Sequence, residues 1–360
     1  MNNQLGRLHQ LGSRLSDTST TAGLDRMVVN TMWNTSWTPL EYRGCQKEYA
    51  AYFNNIYKEL CKAACSGDAQ IPSYTHEKLL QIVNILKDED ITRDEIALLL
   101  PTVPGSGCLH QERALNLAAG LLVPLNFRGI GGARPGKLIV WNSNETLKQL
   151  VAAEIQLWSG SSGAITTSTP CTTCISSTSF STRFSAWHLK YLAGFEIIWT
   201  NELSDHLRMS VDEADISVHI FHQVKILELH QDLLNEIIPP DMIAETFATL
   251  SLLFPGANRK ARIWYRNLQR TYNLDPGTFN RPYIKPEDYD IQLFKHWGPR
   301  LAKIKRAFDD HEPNGPAQWW RDDRRPVQWW TFWTAVLVLV LTVTFGLIQS
   351  VASILQVLKT

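Results

Sequence analysis

Residues 329–360 read WWTFWTAVLVLVLTVTFGLIQSVASILQVLKT, and this run decides the architecture. From Trp329 to Leu358 there is no charged residue and no histidine across 30 positions, more than the roughly 20 apolar residues that cross a bilayer as a helix. The polar residues inside it are ordered. Thr342, Gly346, Gln349, Ser353 and Gln356 are spaced 4, 3, 4 and 3 apart, which sets them along one helix face. Small residues on such a face let two backbones approach, and amides can hydrogen-bond across the contact. The expectation is a transmembrane helix over 331–357 that associates with a second copy of itself. Gln356 has a simpler explanation, snorkelling to the far interface; Gln349 does not.

Trp319, Trp320, Trp329, Trp330 and Trp333 gather at the entrance to this run, where indole rings suit the headgroup level. Arg321, Arg324 and Arg325 stand among them, and the far side offers only Lys359. The positive-inside bias therefore places the N-terminal body in the cytoplasm. The start, MNNQLGRLHQLGSRLSDTST, has no apolar signal-peptide core. The expected topology is a single-pass tail anchor with the lipid bilayer as its first partner; the sequence does not name the membrane. The sequons at Asn34 and Asn144 would then face away from the glycosylation machinery and are read as accidental.

Lys+Arg 35 against Asp+Glu 35 leaves no net charge, which removes bulk electrostatics as a reason to bind nucleic acid or anionic surfaces. Six cysteines in 360 residues are too sparse for a disulfide scaffold. The length suits two modest domains besides the anchor. The reading is a flexible leader over 1–32, a helical domain over 33–158, a Ser/Thr-rich linker over 159–182, a mixed α+β domain over 183–312, a Trp/Arg-rich juxtamembrane segment over 313–330, then the span. The fold class is α+β, mainly helical.

In the first half, PLEYRGCQKEYAAYFNNIYKELCKAA repeats Tyr49, Phe53, Ile56 and Leu60 at helical spacing. HEKLLQIVNIL and TRDEIALLL form two helices split at KDED, the second opened by a Thr92/Glu95 capping box. QERALNLAAGLL adds a third helix, and KLIVW reads as a strand. Three helices and a ribbon invite a winged-helix reading. Between Thr75 and Val140, however, seven basic residues meet seven acidic ones, without the positive footprint a nucleic-acid reader needs. A protein-interaction module fits better. In the second half FEIIWT, HLRMS and ISVHIF suggest a short antiparallel meander, followed by helices at HQVKILELHQDLLNEI, PDMIAETFATLSLLFP, KARIWYRNLQRTY and GPRLAKIKRAF. The last carries Arg300, Lys303, Lys305 and Arg306, which suit either anionic lipid or a solvated face.

Chemistry-bearing patterns are sparse. GGARPGK, 131–137, resembles a phosphate loop, but Leu138 stands where magnesium needs a hydroxyl, so it reads as a turn. The Cys171/Cys174 pair lacks the second ligand pair of a zinc site. Asp205, His206, His219 and His222 are the best candidates for a metal, although the strand-to-helix boundary between His219 and His222 would point them differently. No nucleophile elbow, HExxH helix or dinucleotide glycine fingerprint occurs, so no catalytic residue and no cofactor is expected.

HEKLLQIVNILKDEDITRDEI, WTNELSDHL, ETFATLSLLFP and WWRDDRRPVQWWTFWTAVLVLVLTVTFGLIQS together resemble a group of membrane-anchored proteins of filamentous fungi whose function is not established. The resemblance runs from about Ser73 to the C-terminus. It departs at SVASILQVLK, where a Gly and a Tyr would stand near the terminal Gln. It implies one C-terminal span and a cytosolic body and transfers no catalytic residue. Some such proteins are encoded beside biosynthetic genes, which implies an accessory metabolic role as one alternative. The leading functional reading is a non-catalytic, tail-anchored protein whose body binds another protein and whose anchor forms a homo-oligomer. The alternatives are a membrane-bound accessory enzyme acting on a hydrophobic metabolite through the histidine-rich meander, and an oligomeric polar-lined conduit.

Overall fold

The computed structural model describes residues 22–65, 75–87, 91–100, 108–128, 130, 136–159, 179–181, 183–212, 215–233, 236–256, 258–279, 281, 290–310 and 326–359. The expected leader is shorter than 1–32, because Ala22–Met32 forms helix α1. Its Leu24, Val28, Val29 and Met32 recur at helical spacing and are buried. Where α1 ends, Lys87 Nζ donates to Thr31 O and, at 2.7 Å, to Asn34 Oδ1, and Asn34 takes the left-handed conformation at φ 52°. An ammonium on the last carbonyls of a helix meets its negative end. Burial lowers Lys87 to about 8.

Helix α2 (Pro39–Tyr52) continues through a π turn, Phe53–Tyr57, into α3 (Lys58–Cys65). A capping box opens it, with Thr38 N–H donating to Glu41 Oε2 at 2.7 Å. A π turn shifts the hydrogen-bond ladder from i+4 to i+5, and here side chains from the far half of the chain reach the helix backbone. Asn201 Nδ2 donates to Asn55 O at 3.3 Å, and the buried Gln223 amide donates to Asn201 Oδ1 at 2.8 Å and to Ala51 O at 3.5 Å. Then follow α4 (His76–Leu86), α5 (Arg93–Leu99), α6 (Cys108–Leu122) and α7 (Leu147–Trp158). The Thr92/Glu95 box forms as expected. KLIVW is not a strand; it makes one isolated bridge, Phe127 to Ile139.

After α8 (Ala186–Tyr191) come β1 (Glu196–Thr200), β2 (Met209–Asp212) and β3 (Asp215–Phe221), in the order β1-β3-β2. β1 runs parallel to β3, with Glu196 opposite Ser217, and β2 runs antiparallel to it, with Met209 opposite Val218. The sheet is thus mixed rather than an antiparallel meander. The most apolar strand takes the centre: Val218, Ile220 and Phe221 are fully buried, whereas β2 ends exposed at Val211 and Asp212. A central strand covered on both faces reads as a continuous apolar run, and a polar strand suits an edge. The crossover uses a 3-10 turn, Leu203–Asp205, and Leu207 at φ 58°.

Helices α9 (Val224–Gln231), α10 (Pro240–Leu253), α11 (Arg259–Tyr272) and α12 (Gly298–Asp310) complete the body, and α13 (Pro326–Lys359) follows. The class is α+β and mainly helical, with one long apolar C-terminal helix. Buried residues from Leu24 to Phe308 form one cluster. Tyr52 Oη donates to Leu121 O at 3.0 Å, His230 Nε2 meets Leu122 O at 2.8 Å, and Trp158 stacks on Trp297 at 6.0 Å. Residues 160–178 and 182 of the Ser/Thr-rich stretch lie outside the described residues, as do Cys171 and Cys174.

Candidate functional site

Helix α13 holds 34 residues, about 51 Å at 1.5 Å each. Its apolar part, Trp330–Ile354, spans 25 residues and none of it is buried in the body. Among the described residues one helix is therefore long and apolar enough to cross a membrane. Trp330 is exposed, and Trp333 lies edge-on to Phe332 at 5.5 Å. Trp329 falls in the first turn of α13, while Trp319, Trp320, Arg321, Arg324 and Arg325 lie outside the described residues.

Thr342, Gly346, Gln349, Ser353 and Gln356 all fall on this one unbroken helix and are exposed. Hydroxyls can close on their own helix. Thr334, Thr342, Thr344 and Ser350 donate to the carbonyls of Trp330, Val338, Val340 and Gly346 at 2.7–2.8 Å. Gln349 does not do so: among the described residues neither it nor Ser353 has a side-chain partner. Apart from its chain neighbours and its own helix backbone, no atom lies within 4 Å of where a Cβ on Gly346 would stand.

The candidate metal ligands are spent on separate contacts. Phe221 N–H donates to His206 Nδ1 at 3.2 Å, so the neutral ring carries its proton on Nε2 and donates to Thr249 Oγ1 at 2.8 Å. Neither nitrogen keeps a lone pair for a metal. Burial lowers His206 to about 3. His219 faces a guanidinium instead, with Arg208 Nη2 at 3.3 Å from Nε2 and 3.5 Å from Nδ1. Burial and then that cation lower it to about 4. Asp205 is paired with Arg208 Nε at 3.1 Å. His222 Nδ1 accepts from Asp275 N–H at 3.3 Å and is lowered by burial to about 3. Among the described residues no group of three or more His, Cys, Asp or Glu is placed to hold a metal.

What these residues do is lock elements together. Arg300 donates to Ser204 O at 2.7 Å and to His206 O at 2.6 Å, fastening α12 to the 3-10 turn. The carboxyl of Glu245, on α10, accepts from the backbone N–H groups of His296 and Trp297 just before α12, satisfying donors that a helix start leaves open. Asp275 accepts from Lys225 N–H at 2.7 Å in the first turn of α9 and from Gly277 N–H at 2.8 Å. Among the described residues three hydroxyl–imidazole pairs stand at nucleophile–base distance: Tyr57–His76, Ser185–His188 and Thr249–His206, at 2.7–2.8 Å. Their hydroxyl-bearing residues are fully buried, and in the last pair the imidazole donates rather than withdraws a proton.

The 131–137 loop has a packing role at its described end. Gly136 sits at φ 120°, and a Cβ there would lie 2.6 Å from Asp205 Oδ2. Gly136→Ala should cost about 2 kcal/mol from backbone strain and the clash. A thermal unfolding midpoint equal to wild type would contradict this. Lys137 is engaged too, in a 2.7 Å ion pair with Glu154. Most basic residues of α12 have partners: Arg300 as above, Lys305 with Asp309 at 2.6 Å and, at the surface, Arg306 with Asp310 at 3.6 Å; among the described residues Lys303 has none.

Sequence reasoning overlooked Glu245, Asp275 and Gln223. The first two are single carboxyls whose capping role joins segments some 50 residues apart, which no local pattern announces. No family model, curated protein or solved structure matches the chain, so the site's reading rests on its own geometry.

Proposed function

We propose that this is a single-span membrane protein whose non-catalytic body lies on the cytoplasmic side and binds another protein, and whose anchor associates with a second copy through the stripe from Thr342 to Gln356. One observation carries the self-association. Gln349 has no partner on its own helix, and it lies seven residues, about 10 Å, beyond Thr342 at the middle of the Trp330–Ile354 span. Hydrocarbon reaches about 15 Å either side of the midplane, so Gln349 starts inside it, where an unpaired amide is costly and a partner on another helix relieves that cost. Gly346, one turn away, gives the clearance for that approach. The resemblance to membrane-anchored fungal proteins is compatible with this arrangement.

Cross-linking of the full chain in vesicles tests the reading. Gly346→Leu should abolish the cross-linked dimer, and Gln349→Leu should weaken it about tenfold, the equivalent of one interhelical amide bond of roughly 1–2 kcal/mol. A dimer yield unchanged in Gly346→Leu would sink the claim.

A further inference from the structure

Helix α11, Arg259–Tyr272, carries five cations and no carboxylate, in a chain whose charges cancel overall. Arg259, Arg266 and Arg270 are exposed and fall within about 20° of one line along the helix, over about 16 Å. Among the described residues none of the three has an ion-pair partner. The exposed Ile263 stands on the same face. Lys260 flanks it, over the Trp187 ring at 5.8 Å. Near Lys260, on the flank of the helix about 100–140° from the arginine line, lie half-exposed aromatic rings, Trp187 and Tyr191 on α8 at 5.0 Å from each other, and Trp264 at 6.3 Å from Tyr191.

We propose that the α11 face docks on anionic lipid headgroups. This rests on the anchoring reading above, because a tether to the bilayer keeps headgroups at high local concentration. Cations in a row answer the negative surface potential, and indole and phenol rings near Lys260 suit the headgroup level; the tether is what favours lipid over a nucleic acid, whose bases could stack on the same rings. α12, the basic helix nearer the span in sequence, suits the role less, since Arg300, Lys305 and Arg306 each have a partner and Lys303 alone is left unpaired among the described residues.

The test uses the full chain carrying Ile263→Cys in vesicles of phosphatidylcholine alone or with about 30 % phosphatidylserine. The rate of reaction with uncharged N-ethylmaleimide at position 263 is read by peptide mass spectrometry. Protection is expected in the anionic vesicles only, and about 0.5 M salt, with a Debye length of about 4 Å, should remove it. Adding Arg266→Gln and Arg270→Gln should weaken docking about 30-fold, at roughly fivefold per cation, and restore fast labelling while circular dichroism stays unchanged. Equal rates in the two vesicles overturn the proposal. So does protection by an added acidic polypeptide or nucleic acid with none from lipid. Alkaline washing reads anchoring separately: a chain stripped from both vesicles defeats the anchor, while the protection ratio still decides the docking.

Discussion

Trp297→Ala is expected to lower the stability of the folded body by about 4 kcal/mol, the range for removing a buried aromatic side chain. Trp297 is fully buried at the point where the two halves of the chain meet. It stacks on Trp158 from α7 at 6.0 Å and meets His206 edge-on at 4.9 Å, and its Nε1 donates to Thr246 Oγ1 at 2.9 Å. The loss is therefore a cavity flanked by rings that cannot collapse into it, plus one hydrogen bond. Trp297→Phe keeps most of the volume and should cost about 1–2 kcal/mol, mainly the lost indole donor. Urea unfolding followed by circular dichroism separates the two. Since whole domains hold about 5–15 kcal/mol, the alanine variant should be near the edge of folding at 37 °C, and a midpoint close to wild type would mean that this junction does not hold the body together.

Periodic helices were legible in the sequence and long-range pairing was not. Tyr49, Phe53, Ile56 and Leu60 all prove buried, and the T-R-D-E box forms at Thr92. Two equivalent boxes, Thr38/Glu41 and Thr146/Gln149, carry the same signature, and the second opens α7, a helix that the reading passed over. α1 was missed although Leu24, Val28 and Met32 lie at i, i+4 and i+8, because the polar residues before it set the tone of the segment. The meander failed for a different reason. Alternation marks a strand but not its neighbours, and only burial shows that β3 must lie between β1 and β2. The histidines were misleading in the same way, since proximity along the chain says nothing of the face each occupies: His206 turns to α10, His219 to Arg208 and His222 to Asp275.

The node at Asp275 makes a prediction about pH. Burial pushes its carboxyl from 3.8 up to about 7, against the two backbone N–H bonds that favour the ionised form. A raised pKa means that the folded chain binds a proton the unfolded chain has released between about 4 and 7. The contribution of Asp275 is thus fully present below about 4 and is lost as pH rises to about 7. The buried histidines act oppositely. Held below 6.5, they favour the folded chain above that pH and oppose it on acidification. Comparing wild type with Asp275→Asn cancels these common terms, because Asn keeps the shape and is neutral throughout. From pH 5 to 8 the variant should gain about 3 kcal/mol on wild type, two pH units at about 1.4 kcal/mol each up to the folded pKa. Among the described residues His222 is the histidine in contact with Asp275, so a His222→Gln background should leave that gain in place if the carboxyl alone produces it. A stability difference that stays constant across this range would show that Asp275 is ionised in the fold and that the α9 cap is held by charge rather than by a buried acid.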